Sequence, residues 1–256
     1  MPVLHDAAGG LRWITVSEEN GTRYLYLDGC EEGAMAVDSE DPVFHYLWFH
    51  KLSHLIGRPL GRALVLGAGA FTVAKCLALD HPGAVIDAVD EEPGLAAIAR
   101  KFFRLDQPAF SHIGFHPFLA EDFLAREAGP YEFIFDDLFD GFQHVPVAGR
   151  GAGHVERLRS ILPDGVCVKN LIWSPRSADS RAACAEAIEA FRQVFPQHAV
   201  LTLGDRSGGH NVLALGLTTS GGFDWDAARS SLSAAGVPEQ VLENASPSGA
   251  ADHDNP

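Results

Sequence analysis

From residue 62 onward the chain alternates short apolar runs with stretches whose apolar residues recur every three to four positions. RALVL, AVIDAV, EFIF and VCVKNLIW are the runs: too short for ordinary helices and apolar on both sides of a pleat, as strands covered on two faces must be. AFTVAKCLALD (70–80), PGLAAIARKFF (93–103), a short stretch at 119–126, residues 153–161 and a long amphipathic stretch at 178–194 read as the intervening helices. A weak strand is expected at 113–116, two last strands at HAVLTLG and NVLALGL, and one more helix at 224–235. Strands and helices in this order predict an α/β fold of the Rossmann-like type, with its sheet covered on both faces. Its sheet should be mostly parallel, with seven strands, and closed by an antiparallel strand.

The first part of the chain has a different period. LRWITVS, TRYLYLDG and GAMAV read as two or three short strands between residues 11 and 37, with Asn20-Gly21 as a two-residue hairpin turn. Residues 42–56 then predict an aromatic-rich helix, with Pro42 in its first turn and Asp41 as its cap. After residue 235 no apolar pattern continues. The chain is therefore expected to divide into a β meander (1–41), a Rossmann-like domain including the entry helix (42–235) and a disordered acidic tail (236–256).

Composition narrows the function. Against 19 Lys and Arg stand 34 Asp and Glu, a formal charge of −15, which repels phosphate backbones and argues against nucleic acid as a partner. A hydrophobic content of 46% is too high for a disordered acidic protein. No run reaches the roughly 20 apolar residues of a membrane-spanning helix, and the first residues lack the pattern of a secretory leader. Cys30, Cys76, Cys167 and Cys184 form no C-x-x-C pair, so a reduced, cytoplasmic protein without a disulfide framework is expected. The twelve histidines show no H-E-x-x-H spacing; His50 and His54 share a helix face without an acidic third partner, so no metal is expected.

Two segments carry candidate chemistry. LVLGAGAF places Gly67, Ala68 and Gly69 after the first parallel strand and before a helix, where backbone N–H groups can meet a ligand. About twenty residues later the second strand ends in Asp90-Glu91-Glu92, acids suited to ribose hydroxyls. Together they point to an adenosine-type ligand. In YEFIFDDLFDG, Asp136 and Asp137 end a strand at the carboxyl edge, and Asp140 follows in the loop. Carboxylates this close repel one another unless a cation lies among them. Lys169, unusual inside an apolar strand, is expected to pair with one of these acids, and Trp173 either to line the ligand cleft or to pack there.

Taken in order, LDG at 27–29, the glycine loop, the acidic strand end and DLFDG at 137–141 resemble the polyamine aminopropyltransferase (spermidine synthase) family, especially its small bacterial spermidine-synthase-like branch. The similarity runs from Tyr24 to Leu217 and includes the Asp-Pro and aromatic stretch at 41–46, ARKFF, LPDGVCVKNL at 162–171 and HNVLALG. It implies a small β domain before a Rossmann-like domain of the class I methyltransferase type. The co-substrate would be S-adenosylmethionine or its decarboxylated form, the acceptor an amine, and methylthioadenosine a product. It also implies Asp137 as general base. Asp140, Glu32, His45 and Asp136 would touch substrate, although Asp136 is expected to turn into the fold. Gly67, Ala68, Gly69, Asp90, Glu91, Ala120 and Asp122 would hold the nucleoside. A homo-oligomer follows only by analogy with relatives. The chain departs from the family where Ala70 replaces a glycine-loop Asp, Glu32 a Gln, Phe44 a Tyr and Leu119 an Asp. Besides aminopropyl transfer, two readings stand: methyl or aminocarboxypropyl transfer from the intact donor, including an intramolecular displacement, and a non-catalytic nucleoside- or polyamine-binding relative.

Overall fold

A computed structural model describes residues 2–126, 129–139, 151–204, 209–219 and 222–248. The chain opens with four antiparallel strands in sequence order: β1 (Val3–Ala8), β2 (Trp13–Glu19), β3 (Thr22–Leu27) and β4 (Cys30–Ala36). Asn20 and Gly21 both take positive φ, 50° and 77°, as the two-residue turn between β2 and β3 demands. β1 was not expected from the sequence. It is an edge strand with Val3 and Leu4 exposed, so it lacks the buried alternation that marks a strand.

Residues 45–56 wind as a 3-10 helix (His45–Ile56) rather than an α-helix from residue 42, and the residue before it, Phe44, makes no side-chain cap. Asp41 therefore does not cap this element. Leu47, Phe49 and Leu52 bury its inner side in the main core.

The second sheet is built from β5 (Arg62–Leu66), β6 (Val85–Asp90), β7 (Ile113–Pro117), β8 (Phe133–Asp136), β9 (Val166–Trp173), β10 (Gln197–Leu203), β11 (His210–Leu217) and β12 (Ala245–Pro247). Its order is β12-β10-β11-β9-β8-β5-β6-β7; β7, β6, β5, β8 and β9 run parallel, and β11 reverses against β9. The helices are α1 (Thr72–Asp80), α2 (Leu95–Phe102), α3 (Ala120–Arg126), α4 (Ala152–Ser160), α5 (Ala178–Val194), α6 (Trp225–Ala234) and α7 (Glu239–Glu243). Seven strands follow the expected order, and β12 adds an eighth on the far edge. This corrects the reading of 236–256 as a tail over residues 236–248; residues 249–256 lie outside the described ones. Val237 before α7, Val241 and Leu242 within it and Ala245 of β12 are buried, and β12 pairs with β10, so four apolar residues, too few for a visible period, anchor the segment.

Both faces of the sheet are covered, which explains its near-continuous apolar strands. On β5, Ala63 and Val65 join the core beneath the N-terminal sheet, α1 and α2, while Leu64 and Leu66 join the one beneath α3, α4 and α5. The same parity on β8 sends Phe133 and Phe135 to the first core and Ile134 to the second. That parity decides the fate of the two acids that follow.

Candidate active site

Continuing the β8 alternation, Asp136 falls on the side of Ile134, under α4. It is fully buried, and its Oδ2 lies 2.9 Å from Lys169 Nζ and 2.8 Å from His154 Nε2. Asp136 and Lys169 are register partners across β8 and β9, so they share a face by construction. Burial alone would raise the Asp136 pKa, but the charges of Lys169 and His154 and their hydrogen bonds hold it well below the usual carboxylate range. The expectation that Lys169 pairs with a strand-end acid is met. The expectation that Asp136 touches substrate is corrected: its side chain is enclosed in the fold and lines no cleft.

Asp137 takes the opposite side, at the carboxyl edge of the sheet. Its N–H donates to Leu66 O at 2.8 Å. Its carboxylate accepts two hydrogen bonds, from Tyr46 Oη at 3.0 Å and from Asn170 Nδ2 at 2.8 Å. Asn170 in turn accepts at Oδ1 from Asn211 Nδ2 at 3.0 Å, which fixes the direction of its amide. Three elements, the 3-10 helix, β9 and β11, thus orient one carboxylate. Burial pushes its pKa up to about 6, against the two hydrogen bonds that favour the charged form.

Asp137 stands where two lobes of a single cleft meet, with cavity volumes of about 280 Å³ and about 210 Å³. Glu32, Gly67, Asp90 and Phe139 border both lobes. The larger lobe continues past Glu91 to Phe118, Leu119 and Ala120; the smaller is walled by Tyr46, Asn170, Ile172 and Asn211. Between Leu66 and α1 the glycine loop passes the cleft. Gly67 has φ 83°, and a Cβ there would sit 2.4 Å from Asp137 O. Gly69 has φ 47°, and a Cβ there would meet Glu32 O at 2.7 Å. Only glycine lets this loop lie so close to both neighbours.

The three acids ending β6 do three different things. Asp90 Oδ2 accepts from the N–H groups of Ala68 and Gly69 at 3.0 and 3.4 Å, and Oδ1 from Glu92 N at 3.1 Å. Burial outweighs those bonds and lifts its pKa to about 6. Glu91, at the larger lobe, pairs with Arg12 at 2.7 Å. Glu92 is fully buried: its Oε2 accepts from Leu11 N and Arg12 N, each at 2.8 Å, and its Oε1 from Gly94 N at 2.8 Å. It is a clamp on the N-terminal sheet, with both oxygens engaged by backbone N–H groups rather than facing a ribose.

The remaining expected residues are divided. Ala120 lines the larger lobe beside Leu119, whereas Asp122 is exposed on α3 and borders neither lobe. His45 is exposed and borders a neighbouring cavity with Phe44 and His210; its successor Tyr46 is the one that reaches Asp137. Asp140 lies outside the described residues. Trp173 stacks on His210 with ring centroids 5.0 Å apart. Among the described residues, no group of three or more His, Cys, Asp or Glu is placed to hold a metal ion, and no helix is long and apolar enough to cross a membrane.

No family model matches the chain. Over 173 residues it is 31% identical to the polyamine aminopropyltransferase of Chromobacterium violaceum, covering 63% of this chain and 62% of that protein. The chain thus spans about three fifths of the curated relative's length. A crystal structure of a probable spermidine synthase from Corynebacterium glutamicum superimposes with a TM-score of 0.76 at 19% identity, covering 99% of this chain and 93% of that one. The fold is spermidine-synthase-like. A spermidine synthase crystallised with the transition-state analogue AdoDATO superimposes at 0.65 and 15% identity, over 94% and 87% of the two chains.

Within this spermidine-synthase-like fold the motifs acquire separate physical jobs. LDG is the turn from β3 to β4: Asp28 and Gly29 take φ 50° and 84°, Asp28 Oδ1 accepts from Trp13 N at 2.9 Å, and Leu27 lines both lobes. Arg12, Tyr46, Asn170, Asn211 and His154 were not found from the sequence. Each works through a partner far along the chain, as Tyr46 does with Asp137 across 91 positions, and no local spacing announces such a contact.

Proposed function

We propose that the protein is an aminopropyltransferase-type enzyme, moving the alkyl chain of an S-adenosylmethionine-type sulfonium to an amine with Asp137 as general base. The observation that carries this reading is the place of Asp137: one oriented carboxylate where the two lobes of the cleft meet. The larger lobe, with Gly67, Asp90, Glu91 and Ala120 on its border, suits the nucleoside. The smaller, with Tyr46, Asn170 and Asn211, suits the acceptor amine.

The chemistry is an in-line displacement. The amine nitrogen attacks the carbon beside the sulfonium; the N–C bond forms as the C–S bond breaks, and its electron pair returns to sulfur. The products are an alkylated amine and a neutral thioether, methylthioadenosine when the donor is decarboxylated. At neutral pH the acceptor arrives as an ammonium, and freeing its lone pair costs roughly 4–5 kcal/mol. With a pKa of about 6, Asp137 is largely ionised at that pH. It can therefore hold the ammonium and take its proton as attack proceeds, a contribution on the order of 10²–10⁴ in rate. Positioning two cations together against their repulsion is the other requirement, and the acidic cleft lowers that repulsion.

The test is to incubate the protein with decarboxylated or intact S-adenosylmethionine and a panel of diamines, following methylthioadenosine and S-adenosylhomocysteine. Methylthioadenosine formed only with the decarboxylated donor and an amine supports the proposal. S-adenosylhomocysteine, or methylthioadenosine from the intact donor alone, replaces it with methyl transfer or with aminocarboxypropyl or intramolecular displacement. Asp137→Asn should abolish turnover while leaving donor binding within about threefold; unchanged turnover removes Asp137 from the mechanism.

A further inference from the structure

Asp137 and Asn170 make a hydrogen-bonded rung on the cleft side of the sheet, and the residues just before them make a second rung on the other side. Asp136 and Lys169 are the last register pair between β8 and β9, and β8 ends at Asp136. Neighbours on a strand face opposite ways, so one strand pair carries an ion pair beneath the sheet and a hydrogen bond above it. Asp137 is the first residue past the strand, and the buried rung is what holds the chain immediately before it. α4 closes that rung from below: His154 Nε2 lies 2.8 Å from the same Oδ2 that Lys169 Nζ reaches at 2.9 Å.

A brace of this kind needs no charge. Apolar side chains of similar volume often stabilise a buried position as well as an ion pair or better. The core on this face is otherwise built from such side chains, Ile134, Val155 and Leu171 among them. The charges are better explained by what lies on the other side of the sheet. Asp137 shares its cleft with the carboxyls of Glu32 from β4 and Asp90 from β6, and its chain neighbour Asp136 is a third acid. Tyr46, from the 3-10 helix, faces it as a neutral donor, and Arg12 at the larger lobe is paired with Glu91 and Asp28. Lys169, from β9, is the cation set against the acid next to Asp137, and His154 adds to its side of the balance when protonated.

Resting on the general-base reading above, we infer that Lys169 is a positioning residue for the reaction: through Asp136 it fixes the end of β8 beneath Asp137, and it offsets the Asp136 charge so that the base stays free to take a proton from the amine. The balance of charges on Asp137 agrees with this. Burial raises its carboxyl most, and the bonds from Asn170 and Tyr46 lower it; next the charge of Asp136 raises it and that of Lys169 lowers it. The two buried groups therefore act on the base with opposite signs, which a purely mechanical brace would not do.

The test is the position of the acid limb of kcat/KM in four variants of the full chain. Lys169→Met leaves the Asp136 charge without its cation, so the limb should move to higher pH by about one unit, a loss of about tenfold at fixed pH on the limb. Asp136→Asn removes the like charge and should move the limb to lower pH. Asp136→Leu/Lys169→Met removes both and should return it to within about half a unit of the parent. Lys169→Arg keeps the charge and should leave the limb in place even where it lowers the unfolding temperature. Difference infrared spectra, each variant against the same variant carrying Asp137→Asn, follow the ionisation of Asp137 without turnover. An acid limb and an infrared titration that stay in place in all four variants, with activity falling in step with stability, would overturn the inference and leave Lys169 a packing residue. Opposite infrared shifts in Lys169→Met and Asp136→Asn without turnover in the parent would sink the general-base reading alone. Neither shifts nor turnover would sink both.

Discussion

Tyr46→Phe isolates one hydrogen bond of the site. The substitution removes the Oη that donates to Asp137 at 3.0 Å and keeps the ring, which stacks on Phe44 with centroids 6.2 Å apart and planes 7° apart. The bond favours the ionised carboxylate, so its loss raises the Asp137 pKa from about 6. A hydrogen bond to a charged group contributes about 1.5–3 kcal/mol. The lower end applies here, because Asp137 is half-buried and cleft water can take the vacated place. At 1.36 kcal/mol per unit, this is a rise of about one pH unit. Activity that depends on ionised Asp137 is gained as pH rises through its pKa, so the acid limb of kcat/KM moves to higher pH by about one unit. On that limb the rate at fixed pH falls about tenfold, and on the plateau above it the variant approaches the parent. The assay is kcat/KM for methylthioadenosine release between about pH 5 and about pH 9. An acid limb that stays in place, with a uniform loss at every pH, would refute the argument and make Tyr46 a packing residue.

Two other substitutions probe the scaffold of the cleft. Lys169→Met should cost about 3–5 kcal/mol, because among the described residues Asp136 is left fully buried with His154 as its remaining partner and an Oδ1 that has none. Thermal unfolding should show this as a fall of about 6–20 °C, largely recovered in Asp136→Leu/Lys169→Met; a single variant as stable as the parent would contradict it. Glu92→Gln leaves one oxygen for three backbone donors and should raise the hydrogen-exchange rates of the Leu11 and Arg12 amides, at a cost of about 1.5–3 kcal/mol. Unchanged protection at both amides would show that Glu92 does not clamp the N-terminal sheet.

Much of the architecture was legible because a two-sided parallel sheet writes itself as apolar runs separated by helical periods. The elements that escaped had no such signature: β1 is half-exposed at an edge, and β12 is three residues long. The site was legible in proportion to how local it is. Gly67, Gly69, Asp90 and Asp137 sit at strand ends, where a linear pattern marks the carboxyl edge, and the structure brings them to one cleft. Asp136 was separated from Asp137 by the pleat alone, since neighbours on a strand face opposite ways. Asp122 was misplaced for a comparable reason: two positions along α3 turn a side chain to the far side of the helix, and Ala120 takes the cleft-facing place. Tyr46, Asn170 and Asn211 could not be found, because their roles exist only after the 3-10 helix, β9 and β11 have converged on one carboxylate.

Glu92, Glu91 and the close contact of β4 with the glycine loop tie the N-terminal sheet to the rest of the chain along the rim of the cleft. Docking of that sheet and completion of the cleft are therefore one thermodynamic event. A chain whose first sheet swings away has lost Glu32 and Leu27 from both lobes and Arg12 from the larger one. A ligand that needs those walls binds the docked form alone, and its affinity adds to the stability of the seam. At a hundredfold excess over Kd the gain is about 2.7 kcal/mol. Occupancy would then be legible far from the chemistry, as slower proteolysis in the first forty residues.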